Sequence, residues 1–215
     1  ANELTITPLG QRIITQAQRA LEEAALIKRI AQEGKDPLAE PLHLGVIYTV
    51  GPYLLPHLIP RLHKSAPRMT LLIEEGYTAH LTERLRRGEV DVIVISLPFA
   101  EPGVVTQALY DEPFKVVLPV QHPWKKEKSI KPRALAQENL LLLGAGHCFR
   151  DQVLKACPAL NRASAIGSLQ RTLEGGSLET IRHMVASGAG ITVLPCTSVH
   201  GHEAEFLAGL GVERC

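Results

Sequence analysis

From residue 42 onward, strand-length apolar runs alternate with segments of helical spacing, and few folds accept that order. Leu42-His43-Leu44-Gly45-Val46-Ile47 reads as a strand, Gly51 to Ile59 opens a helix, and Met69 to Glu75 is a second strand. A further helix carries Leu81 and Leu85 to Arg87-Gly88, where glycine can cap its C-terminus, before the strand Val90 to Ile95. Strands separated by helices cannot pair as hairpins, so the pattern predicts an α/β fold with a mostly parallel sheet. A second unit starts after Glu112-Pro113. It holds the strand Phe114 to Pro119, a turn-rich stretch Gln121 to Trp124, the strand Leu140 to Leu143, a helix around Leu178 to Ser187 ending at Gly188, and the strand Ile191 to Leu194.

The remaining bulk properties narrow the class of function. The chain has 215 residues, 45% of them hydrophobic, enough for a sizeable core in one or two domains. Its longest apolar runs are strand-length and no signal peptide opens it, so the expectation is a protein of the cytoplasm without membrane contact. A net charge of +1, with no concentrated basic patch, argues against strong nucleic-acid binding by this chain alone. There is no phosphate-binding glycine loop, no GxGxxG after a strand and no GxSxG elbow, so nucleotide and esterase chemistry lack support.

Four cysteines, Cys148, Cys157, Cys196 and Cys215, are too few and too irregular for a disulfide scaffold. In a reducing compartment a disulfide is regulatory more often than structural. Cys148 lies in Gly146-His147-Cys148-Phe149-Arg150-Asp151, beside a histidine and an arginine, whereas Cys157 has an apolar and basic context. Nearby cations favour the thiolate, the form that attacks peroxide, and the resulting sulfenic acid needs a second thiol to become a disulfide. By spacing alone, two buried structural cysteines are the favoured reading of the pattern. Metal binding is poorly supported, because His147, Cys148 and Cys157 lack a paired CxxC or HxxxH spacing. Phe149, Val153 and Ala156 have helical spacing among good helix formers, which predicts a helix between the two cysteines.

At the other end of the chain, Thr7 can cap a helix whose first turn accepts Pro8. Ile13, Ala17, Ala20, Ala24, Ile27 and Ala31 recur at alternating steps of four and three, an apolar seam of coiled-coil period widened by Leu21. Periodicity leaves pairing with another chain and packing on the chain's own domain equally open. Gly34 to Pro37 signals the end of that helix, and Pro37 to Pro41 reads as a linker.

The run GHCFRDQVLKAC resembles the redox loop of the hydrogen-peroxide-sensing members of the LysR-type transcription regulators. Gly51-Pro52-Tyr53-Leu54-Leu55-Pro56 and the segment Ser177 to Pro195 carry the family-wide likeness, and Thr-Pro-x-Gly before a long helix resembles the family's linker helix. The resemblance implies a two-lobed, periplasmic-binding-protein-like effector domain preceded by a linker helix. It divides the chain into a linker and dimerisation helix at 1–36, one lobe at 42–112 and a second at 113–215. The family's winged helix-turn-helix is expected to lie outside this sequence. Past the Ile-Thr-x-Leu-Pro strand the likeness fails, so the last segment, with His200, His202 and Cys215, is expected to be atypical.

For the site, the resemblance implies that Cys148 attacks peroxide and Cys157 resolves the sulfenic acid as a reversible disulfide. Thr49, Thr78 and His147 are then expected around the peroxide, with His147 or Arg150 helping hydroxide leave as water. It also implies a sensor and not an enzyme, without cofactor or metal. Its partners are then hydrogen peroxide, further copies of itself as a homodimer or homotetramer, DNA through the N-terminal domain, RNA polymerase and a cellular dithiol reductant. An effector domain binding a small organic anion and a thiol peroxidase are the competing functions.

Overall fold

A computed structural model describes residues 6–32, 36, 38–127, 129–158, 173–199 and 207–212. The chain begins with the helix α1, Pro8–Gln32. Thr7 caps it as its position predicts: its Oγ1 accepts from the Gly10 N–H at 3.0 Å and its carbonyl from the Gln11 N–H at 2.9 Å. The apolar seam points outward, with Ile13 60%, Ile27 68% and Leu21 71% exposed. Of the two arrangements periodicity allowed, the fold leaves this face unpacked against its own domain. The stop at Gly34, Lys35 and Pro37 lies outside the described residues.

A first sheet has strand order β2-β1-β3 and is parallel throughout, with β1 Leu42–Ile47, β2 Leu71–Gly76 and β3 Val92–Val94. Two helices supply the crossovers, α2 Gly51–Ser65 and α3 Thr78–Arg86. The helix opened at Gly51 runs six residues past Ile59, through Pro56 and Pro60. The strand expected over Val90 to Ile95 keeps only its centre as paired strand.

The second sheet has order β5-β9-β4-β8-β6-β7, with β4 Phe114–Leu118, β5 Ser129–Ile130, β6 Leu140–Leu143, β7 Leu173–Gly175, β8 Ile191–Pro195 and β9 Leu207–Val212. The expectation of mostly parallel pairing holds, and the departure from it is β4, which runs antiparallel to both β8 and β9. The strands β6, β7 and β8 remain parallel. The tail expected to be atypical thus supplies β9, seated between β5 and β4. The helices of this half are α4 Pro132–Leu135, α5 Cys148–Ala156, α6 Leu178–Ala186 and the short α7 Cys196–Val199.

The larger core lies in this second half, where β4, β6 and β8 are buried on both faces. The helix α5 joins it through Phe149, Val153 and Cys157, which recur every four residues and therefore share one face. Phe149 meets Phe114 edge to face at 5.0 Å. Hydrogen bonds that cross between the halves include Tyr53 Oη donating to Glu179 Oε1 at 2.8 Å, Gln152 Nε2 donating to the Leu97 carbonyl at 3.1 Å, and the Thr197 N–H donating to Glu112 Oε1 at 2.7 Å.

Candidate functional site

Three strands, β1 and β2 of the first sheet and β6 of the second, each deliver site residues in the turn that follows. After β6, Gly144 to Gly146 turn the chain so that His147 becomes the N-cap of α5 and Cys148 its first residue. Gly146 makes this turn with φ +96°, a left-handed conformation that glycine adopts without penalty. Cys148 is partly exposed, and Cys157 is buried at the C-cap of the same helix.

His147 is 5% exposed. Burial pushes its pKa below the usual histidine value, partly opposed by a hydrogen bond with the Gly176 backbone. Burial thus disfavours the imidazolium, the form that would give its charge to the departing oxygen. A neutral ring can still donate from one nitrogen and accept at the other.

Arg150 also departs from the role its neighbourhood in the sequence suggests. Positions two apart on a helix are about 200° apart around its axis, so the side chain leaves α5 on the side away from Cys148. Its Nη1 donates to the Leu143 carbonyl at 2.8 Å, tying the first turn of α5 to the end of β6 and closing the Gly144–His147 turn.

The two threonines sit in equivalent places after β1 and β2. Thr49 is 4% exposed and lines a cavity of about 440 Å³ that also touches Phe149, Gln152, Thr106, Tyr110 and Glu112. Thr78 opens α3, and its Oγ1 is buried without a hydrogen-bond partner among the described residues. Leaving a buried hydroxyl unpaired costs about 1–3 kcal/mol. Cys148, His147 and Thr78 are not among the residues lining the cavity, so Thr49 is the one expected ligand that faces it.

Two residues at this cleft escaped the sequence reading. Tyr48 and Tyr77 stand directly before Thr49 and Thr78, and their rings meet edge to face at 5.3 Å. Both also approach His147, Tyr77 at 4.8 Å and Tyr48 at 6.2 Å between ring centroids. An aromatic residue immediately after each of two adjacent parallel strands was the available signal. Among the described residues no cluster of metal-ligating side chains is found, and no helix is long and apolar enough to cross a membrane.

The geometry can be set beside known proteins. The family model described as LysR substrate binding domain matches residues 35–208. The chain is 35% identical over 199 residues to the Escherichia coli (strain K12) protein named DNA-binding transcriptional dual regulator OxyR. The same identity and length hold for the hydrogen peroxide-inducible genes activator of Escherichia coli O6:H1. Each alignment covers 93% of this chain and 64% of the relative, so the chain spans somewhat less than two thirds of their length. The solved reduced form of OxyR from N. meningitidis is 48% identical, with 81% of each chain covered and a TM-score of 0.75. The chain belongs to the LysR-type regulators and, within them, to the family of OxyR regulatory domains.

Proposed function

We propose that this chain is the peroxide-sensing regulatory part of a LysR-type transcription regulator. The observation that carries the reading is the placement of two cysteines at opposite ends of one helix, the partly exposed Cys148 beside buried His147 and the buried Cys157 in the core. In the reaction, the Cys148 thiolate attacks one oxygen of hydrogen peroxide and the O–O bond breaks. The sulfur becomes a sulfenic acid, and the departing hydroxide takes a proton to leave as water. The Cys157 thiol then attacks that sulfur, a second water departs and a disulfide forms. Two electrons have passed from the two thiols to peroxide, and a cellular dithiol returns them by exchange.

Thr78 suits peroxide because its unpaired buried hydroxyl can donate to or accept from a ligand oxygen. Thr49 and neutral His147 supply further donors and acceptors at neighbouring strand ends. Negative charge developing on the departing oxygen is favoured near the first-turn N–H groups of α5. Arg150 contributes by holding the turn before Cys148. The relatives' names support a peroxide signal and DNA as the partner of the whole regulator, whose DNA-binding segment is expected beyond these residues. The exposed seam of α1 fits self-association of the regulator as a homodimer or homotetramer.

Mass spectrometry of the thiols before and after one equivalent of peroxide tests the reading. A Cys148–Cys157 disulfide that is absent in Cys148→Ser is expected; oxidation at Cys196 alone would refute it. A sensor reacts once per reduction. Sustained peroxide consumption with excess thiol reductant would mark an enzyme instead.

A further inference from the structure

Tyr48 and Tyr77 stand where the first sheet meets the turn carrying His147 and Cys148. Ile47 pairs with Gly76 across β1 and β2, so the next residues, Tyr48 and Tyr77, emerge side by side at the end of the sheet. Each tyrosine is 42% exposed, while the histidine they meet is 5% exposed. The three rings meet at interplanar angles of 60° to 79°, the edge-to-face arrangement in which a ring edge is attracted to a neighbour's face. Tyr77 reaches further, onto the backbone. A Cβ built on Gly146 would lie 3.4 Å from its Cδ1 and Cε1, so the ring lies against the turn that immediately precedes His147 and Cys148.

We infer that Tyr77, backed by Tyr48, is a positioning residue for the peroxide reaction: it clamps His147 and the Gly146 turn from the opposite lobe. The inference rests on the peroxide-sensing reading above. The ring and not the hydroxyl does this, since it is the Tyr77 ring that meets Tyr48, His147 and the Gly146 turn. Without the clamp, the His147 ring gains freedom to turn away from the peroxide, and the turn carrying it loses its cover.

The test is a double-mutant cycle on the rate constant for sulfenic acid formation at Cys148, measured in the Cys157→Ser chain so that the sulfenic acid persists. Tyr77→Leu is expected to slow the step about 3- to 10-fold, the scale of a lost aromatic pair, and Tyr77→Phe to restore it to within about 2-fold of wild type. In the His147→Gln background, Tyr77→Leu is expected to have no further effect, because a residue that acts through His147 has nothing left to position. An unchanged rate in Tyr77→Leu, failure of Tyr77→Phe to rescue, or equal slowing with and without His147 would each overturn the inference. If Tyr77→Leu does not fold, Tyr48→Leu carries the same cycle. Failure of the wild-type chain to oxidise at Cys148 would instead refute peroxide sensing itself, a result the same measurement distinguishes.

Discussion

The proposed Cys148–Cys157 disulfide would have to dismantle α5, and the fold sets how far. Cys148 and Cys157 are nine residues apart at the two ends of the helix, which puts them about 13.5 Å apart along its axis and about 180° around it. A disulfide needs Cα atoms within roughly 7 Å, so more than about 6 Å of separation has to be removed. That equals the rise of at least four helical residues, at about 1.5 Å each, in a helix of nine. Unwinding also draws on the core. Phe149 is 5% exposed and Val153 1%, and exposing both forfeits about 3–6 kcal/mol before any repacking. Even the lower figure corresponds to about 100-fold in an opening equilibrium, at about 1.4 kcal/mol per tenfold. Hydrogen exchange over residues 148–157, followed by mass spectrometry in the reduced and fully oxidised chain, should therefore show amides of α5 losing about 100-fold or more of their protection. Equal protection in both states, with the Cys148–Cys157 disulfide confirmed by peptide mapping, would refute the reasoning.

Other perturbations follow from the same geometry. Thr78→Val removes a buried hydroxyl that has no partner, so thermal unfolding should shift upward by the equivalent of about 1 kcal/mol while sulfenic acid formation slows; a lower melting temperature or an unaltered rate would contradict this. His147 has a folded pKa below its unfolded value, so the unfolded chain binds the extra proton; its contribution to stability is intact above about pH 6.5 and is lost as pH falls below that value. Denaturant melts between pH 7.5 and 5.5 should show a shallower loss in His147→Asn than in wild type, and parallel curves would argue against a buried neutral ring. Val153→Ala loosens α5 without touching either thiol, so disulfide formation from the sulfenic acid should accelerate while the first oxidation step keeps its rate, as stopped-flow measurement of both phases would show. Ile13→Glu with Ile27→Glu places charge on the exposed seam of α1 and should weaken self-association of the complete regulator in sedimentation; unchanged affinity would remove the helix from the interface.

What the sequence disclosed depended on how local the cause was. The strand Leu42–Ile47, the start of α1 at Thr7-Pro8 and the helix between the two cysteines each follow from spacing and capping within a few residues, and each lies where expected. The antiparallel partners of β4 were not legible, because its pairing with β8 and β9 is settled by contacts across more than seventy residues. The strand β9, Leu-Ala-Gly-Leu-Gly-Val, carries two glycines in six residues and no marked alternation, so it reads as tail until β4 and β5 are seen on either side. At the site, adjacency in sequence misled where helical geometry decides direction: Arg150 is two residues from Cys148 and turns to Leu143. Tyr48 and Tyr77 were hidden for a related reason. Nothing within either strand says that its neighbour ends in a matching ring, or that His147 arrives from the other half of the chain.

The position of Cys157 explains why the sensor would stay reduced until a sulfenic acid forms. A thiol that is 1% exposed in the core is shielded from outside oxidants and from exchange with other thiols. It becomes available when α5 opens, and in the reduced chain three ties oppose opening: the apolar face of Phe149 and Val153, the Arg150 bond to Leu143, and the Gln152 bond to Leu97. Formation of a disulfide compensates the opening only if Cys148 has already been oxidised, because two thiols gain nothing by approach. The first step is therefore set by chemistry at the cleft and the second by the stability of the helix, and the two can be tuned separately. The bond from Gln152 to Leu97 gives the second step its reach: when α5 unwinds, a contact between the two halves of the chain is released, and a change begun at one sulfur passes to the arrangement of the lobes.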